Sequence, residues 1–199
     1  MLFHLAWGIM VPMVFAWNTS GAHLNPVVSL VHALRKDSPF KITEFIWYMI
    51  AQILGGFAGH CVRWWYYRTP GVIDINEDYL EEAIFWETFA SFILVLVTLI
   101  QTGKTTATSQ HNVFNVVPIA GIYAAVYLLS NTWTMSSVNP AYGVTLNLAD
   151  LADDGQDEAL KYIWVYAIFP FVGGLVAWAL YQFIYVPAVE EGRSGRAHV

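Results

Sequence analysis

The chain has 199 residues, of which 57 % are hydrophobic, 16 % aromatic and only 12 % charged. About a quarter of a soluble domain is charged, so this composition excludes a surface solvated mainly by water and points to a chain dissolved largely in lipid. The net charge of −6 excludes a nucleic-acid binder, which needs clustered basic residues, and the single cysteine, Cys61, excludes an internal disulfide and a thiolate-only metal site.

The length fits one domain. Its first stretch, "MLFHLAWGIMVPMVFAW", has no Lys or Arg ahead of the apolar run, unlike a secretory signal. We expect residues 1–17 to be a retained, rather short membrane helix bent at Pro12. No helix precedes it, so it is also where a longer precursor would have been cut. Asn25-Pro26 then opens a short apolar run, Pro26–Leu34. Nine residues at 1.5 Å each reach about 13 Å, roughly half of a 30 Å hydrocarbon layer. Proline suits the first position of a helix and asparagine the cap before it, so the pair predicts a short helix starting inside the bilayer. Full-length spans are expected at 42–62, 83–101, 113–130 and 162–186, which makes five with the first. Glu44, Gln52, Glu87 and Asn131 lie in or beside these runs, where polar groups face protein or a wet cavity. Small residues gather at "GGFAG" and at Gly173-Gly174, which lets helices approach closely. Between the last two spans Asn139-Pro140 repeats the device, opening a second short run over 140–149.

The two copies arrange the chain as a single membrane domain, 1–199: a first repeat at 1–62, a central span at 83–101 and a second repeat at 113–186. An odd number of spans separates the short helices, so they enter from opposite faces as an inverted repeat with a site at the midplane. Arg35, Lys36, Lys41, Lys104, Arg193 and Arg196 fall on one face, and Arg63, Arg68 and Lys161 on the other. The excess marks the first face as cytoplasmic. The opposite face carries acidic loops around Asp74–Glu82 and Asp150–Glu158, read as solvated surface or as an attractor of cations or of a basic partner.

These residues resemble the paired signature of the aquaporin, or major intrinsic protein, family: "SGAHLNP" (Ser20–Pro26) and "NPA" (Asn139–Ala141), with "AQILGG", "ETFASFILV" and "PFVGG" in matching order. The resemblance covers nearly the whole chain. It implies an all-α membrane protein, an aquaporin-like inverted repeat of five transmembrane helices and two re-entrant half-helices. Residue 1 falls near the start of the family's second span, so the first span and its glutamate are absent from this sequence; either the chain is incomplete, or a neighbouring protein or lipid fills the gap. The resemblance also implies a pore motif of Asn25, Pro26 and Val27 with Asn139, Pro140 and Ala141. Val27 is bulkier than the alanine it replaces. The family's filter positions fall on Tyr127, Ser136 and Tyr142, with Trp7 preferred over Leu5 for the fourth. Tyr142 stands where the family has arginine, so the filter lacks a fixed cation. His23 corresponds to a pore-lining histidine, and Gln52 and Glu87 to structural residues that hold the half-helix connections.

Two helix N-termini meeting at one centre each carry about half a positive charge. The asparagines would add neutral donors for a passing oxygen while the field opposes cations and protons. The same asparagines, read simply as caps, would tie the two half-helices together without conduction. Losing the arginine predicts weaker exclusion of cations and tolerance of glycerol or ammonia in an open pore, or a mouth plugged by two tyrosines. The function expected is therefore a passive channel for water or small uncharged solutes. Its alternative is a non-conducting structural subunit of a larger membrane assembly. The surroundings are lipid, with a homotetramer or a larger complex supplying a helix at the first-span position. The membrane is undetermined, plasma membrane or organelle, the mitochondrial inner membrane included. An enzyme is not expected: His4, His23, His32, His60, His111 and His198 form no metal spacing, no nucleophile motif occurs, and no cofactor or phosphate loop is indicated.

Overall fold

In the computed structural model, which describes residues 2–68, 75–134, 137–154 and 158–196, the secondary structure is helical throughout. Helix α1 spans Leu2–Ser20, α2 Pro26–Leu34, α3 Ile42–Tyr67, α4 Leu80–Thr102 and α5 Asn112–Thr134. Next come α6 at Pro140–Asp154, a single turn α7 at Glu158–Lys161, and α8 at Ile163–Leu180. A π-helical stretch, Tyr181–Tyr185, joins α8 to α9, Val186–Arg196. Four of these helical segments are long and apolar enough to cross a membrane: α3, α4 with the turn before it, α5, and α8 continued through α9. The protein is an integral membrane protein. α1, nineteen residues with Pro12 inside it, is not among the four.

The second short helix is longer than its apolar run. α6 continues to Asp154, fifteen residues, five beyond the end of that run. α2 stops at Leu34, as expected. Each packs its first turns into a buried cluster. Val27, Val28 and Val31 of α2 meet Val95 and Leu99 of α4 and Ala177 and Tyr181. Leu146 of α6 meets Ala83 of α4 and Val165 and Tyr166 of α8. α4 thus lies behind both short helices.

α4 and α8 owe their closeness to Gly173. A Cβ there would strike the carbonyl oxygen of Thr88 and stand 2.9 Å from the Phe92 nitrogen, both backbone atoms that cannot swing aside. One residue on, a Cβ at Gly174 would strike Val27 Cγ1. The bulk of Val27 is therefore taken up against α8. In contrast, only 6 % of the apolar window of α3 is buried, against 33–44 % for the other three. Trp47, Leu54, Val62 and Trp65 of α3 are all more than 60 % exposed. Such a surface is stable only against lipid or another apolar partner.

Candidate functional site

The two Asn-Pro pairs build one junction. Asn25 Oδ1 accepts from the Val27 N–H at 2.9 Å, and Asn139 Oδ1 from the Ala141 N–H at 3.1 Å, so each asparagine caps its own helix. Their amide nitrogens cross over. Asn25 Nδ2 donates to the Val138 carbonyl at 2.8 Å, and Asn139 Nδ2 to the Leu24 carbonyl at 2.9 Å. Each accepting carbonyl belongs to the residue just before the opposite asparagine, which makes the brace reciprocal. To present those carbonyls, Leu24 and Val138 both take left-handed backbone, at φ 52° and 39°. This is unusual for any side chain and a genuine outlier for a β-branched one; such strain costs about 1–3 kcal/mol per residue and persists only where the surroundings enforce it.

Glu87 enforces it on one side. Fully buried on α4, it accepts from the Ser137 N–H at 2.9 Å and the Val138 N–H at 3.1 Å. On the other side Ser29 is the hub. Its hydroxyl donates to the Asn25 carbonyl at 3.2 Å, accepts from Gln52 Nε2 at 3.0 Å and lies 3.2 Å from His23 Nδ1. The positive ends of α2 and α6 are so held together inside the protein.

Towards the face that the charge distribution predicts to be the outer one lies a cavity of about 310 Å³. Tyr127 and Tyr142 line it together, with Asn139, Ser137 and Leu5. Trp7 is 45 % exposed and is not part of that lining. Ser136 lies outside the described residues. The ring of Tyr142 also stands 5.3 Å from that of His60. Arg63, counted in the sequence only as a charge on the outer face, lines the same cleft as His60 and Tyr142. A guanidinium therefore stands near this mouth, supplied by α3 and not by position 142.

Towards the face predicted to be the inner one a second cavity, about 330 Å³, is lined by His23, His32 and Arg35 among others. The two histidine rings are 4.5 Å apart. A carbonyl only accepts, so His32 Nδ1 donates to the Val28 carbonyl at 2.8 Å, and its Nε2 faces Thr102 Oγ1 at 3.0 Å. Arg35 donates to the same Thr102 hydroxyl at 2.8 Å and pairs with Asp37 at 2.6 Å, which fixes a cation at this mouth. His32 carries no motif, and nothing in the sequence singled it out.

α1 and α3 are linked where the Tyr48 hydroxyl donates to the Ser20 carbonyl at 3.0 Å. Beside them opens a cleft of about 730 Å³, floored by His23, Leu24 and Asn139 and walled by Ala51, Gly55 and Gly59 of α3 and Ala141 and Tyr142 of α6, with Ser20 at the end of α1 on its rim. Asn139 thus borders this lateral cleft as well as the cavity it shares with Tyr142. Among the described residues no group of three or more His, Cys, Asp or Glu could hold a metal ion.

Comparison with known proteins agrees with this geometry. The model of the family "Major intrinsic protein" matches residues 2–181. The chain is 27 % identical over 90 % of its length to a probable aquaporin TIP2-2 of Oryza sativa subsp. japonica, spanning 69 % of that protein. It is 24 % identical to aquaporin Z of Photorhabdus laumondii, with 91 % and 81 % covered. It is 26 % identical to aquaporin-4 of Mus musculus, with 87 % of this chain but only 52 % of that protein covered. Its fold matches the X-ray structure of the aquaglyceroporin from Plasmodium falciparum with a TM-score of 0.82 at 22 % identity, over 93 % of this chain and 81 % of that one.

Proposed function

The chain belongs to the major intrinsic protein family, and on that premise we propose that it is a passive transmembrane channel for water and small uncharged solutes such as glycerol or ammonia. One observation carries the reading. Asn25 and Asn139 each spend one amide proton on the reciprocal brace, and an amide nitrogen has two. Asn139 lines the outer cavity, and the second amide proton of the fully buried Asn25 lies towards the Tyr123 hydroxyl at 3.4 Å, both at the positive ends of two helices. A neutral oxygen is welcome there, while a cation meets two helix dipoles. In this reading α1, α3, α4, α5 and α8 are the five spans, α2 and α6 re-enter from opposite faces, and residues 1–62 and 113–186 are the repeats about the central span. Tyr127 and Tyr142 narrow the outer mouth together with Leu5, in place of Trp7, and a serine at 136 or 137. His23 lines the inner half.

The test is osmotic shrinkage of proteoliposomes carrying the purified chain, with glycerol uptake measured alongside. We expect water flux above that of empty vesicles. Folded protein that adds no flux for water, glycerol or ammonia rejects the reading.

A second reading, an aquaporin-fold structural subunit, is favoured by the lateral cleft along α3. A helix from a homotetramer neighbour or a larger complex would complete that wall. Isolation from its native membrane as a free homotetramer counts against the structural reading, and stable co-purification with other subunits supports it.

A further inference from the structure

The remaining amide protons at the junction already have an acceptor nearby, and it is part of the protein. Tyr123 Oη lies 3.4 Å from Asn25 Nδ2, and the Asn139 side chain interacts with the same hydroxyl. Tyr123 stands one helical turn before Tyr127 on α5, so the two share a face. Its place along the axis is narrow. It lines the outer cavity together with Asn139 and Tyr142, and on its other side it lines a space of only about 20 Å³ shared with His23, Leu94 and Thr98. Beyond His23 the inner cavity of about 330 Å³ opens. A space that small has room for about one water. The phenol therefore marks the neck between two wide vestibules.

We propose that Tyr123 is the specificity-determining residue of this neck: its hydroxyl holds the acceptor position at the two asparagine amides that a permeating oxygen must take. The inference rests on the channel reading. A permeant passes by exchange. Its oxygen replaces Tyr123 Oη on the Asn25 amide, and the phenol oxygen, itself donor and acceptor, bonds to the permeant or swings towards the outer cavity. At 3.4 Å the resident bond is long, so it yields to a better acceptor. Water and small alcohols offer an acceptor oxygen and can make the exchange. Ammonia makes it through its nitrogen lone pair, and a solute of similar size with no acceptor atom cannot.

The experiment compares three full-length proteins in liposomes by light scattering under an osmotic gradient: the parent, Y123F and Y123V. Y123F deletes one oxygen and keeps the ring. It should raise water permeability about twofold, the low end of what one hydrogen bond is worth, with helical content by circular dichroism unchanged. Y123V should raise it further and admit glycerol faster. Equal flux in parent and Y123F, above that of empty vesicles, overturns the role of the hydroxyl and leaves the channel standing; so does a rise confined to Y123V, which would make bulk the determinant. Three folded proteins that all shrink no faster than empty vesicles overturn both. Should Y123V fail to fold, Y123F carries the test, and its Asn25 side-chain amide resonance reads the hydrogen bond without flux. An unmoved resonance also overturns the proposal.

Discussion

Replacing Glu87 by alanine tests whether the junction is enforced or merely occupied. Its carboxylate accepts from two backbone N–H groups, Ser137 at 2.9 Å and Val138 at 3.1 Å, in a site with no exposure to solvent. Each donor left unpaired in such a place costs about 1–3 kcal/mol, so Glu87→Ala should cost about 2–6 kcal/mol. The left-handed backbone at Val138, φ 39°, loses its anchor in the same step, and its relaxation withdraws the carbonyl that Asn25 Nδ2 reaches at 2.8 Å. In a chain of this size 1 kcal/mol moves a thermal midpoint by about 2–4 °C. A mid-range loss of about 4 kcal/mol therefore lowers it by about 8–16 °C, measured by circular dichroism in detergent. Glu87→Gln keeps one acceptor oxygen but turns an amide donor towards the other N–H, so about half the loss should remain. The reasoning fails if Glu87→Ala melts within about 2 °C of the parent, because the strained connector would then hold itself.

Three further perturbations follow from other contacts. Asn139→Asp keeps the cap on the Ala141 N–H but cannot donate to the Leu24 carbonyl; with the brace broken on one side, the midpoint should fall by an amount equivalent to about 1–3 kcal/mol, and sodium leak from loaded vesicles should rise as a carboxylate replaces a neutral amide. Gly173→Ala drives a methyl into the Thr88 carbonyl, so α4 and α8 must separate; overpacking of this kind costs about 1–3 kcal/mol or more, read as reduced monodisperse yield and a lower midpoint. The exposed ion pair of Lys161 with Glu77, at 2.6 Å, should contribute little. Hydrogen bonding and attraction from Glu77 hold the Lys161 ammonium above the ordinary lysine range. A raised lysine adds its stability below the unfolded value and loses it only as pH climbs through the folded one. Between about pH 6 and 9 the midpoints of Lys161→Ala and the parent should therefore run parallel and nearly coincide.

Much of this molecule is legible along the chain. Lipid-length apolar runs predict their helices because burying an unpaired backbone in hydrocarbon is prohibitive; α3, α4 and α5 cover the expected stretches with ends extended by a few residues, and the last stretch is shared by α8, which stops at Leu180, the π-helical segment and the start of α9. Asn25-Pro26 and Asn139-Pro140 announce helix starts because proline lacks an N–H and asparagine supplies an acceptor, both local properties. Side-chain periodicity does not fix where a helix ends once its apolar face is finished, and α6 runs on to Asp154 for that reason.

What the chain order could not decide is who meets whom across the bundle. Nothing local says that the Asn25 amide would reach the carbonyl at Val138, 113 residues away, or that Val27 would settle against Gly174. Tyr123 bears no motif, and one turn of α5 brings it to the neck only because α1, α2 and α6 converge there. Arg63 reads as a loop-end charge until α3 carries it to the same cleft as Tyr142. The sequence by itself determined the solvent, the helices and the two capped starts, since those follow from short-range chemistry and hydrophobic length. The neck, the crossed brace and the open flank came only from the tertiary structure, because they depend on distances between helices that no stretch of sequence encodes alone.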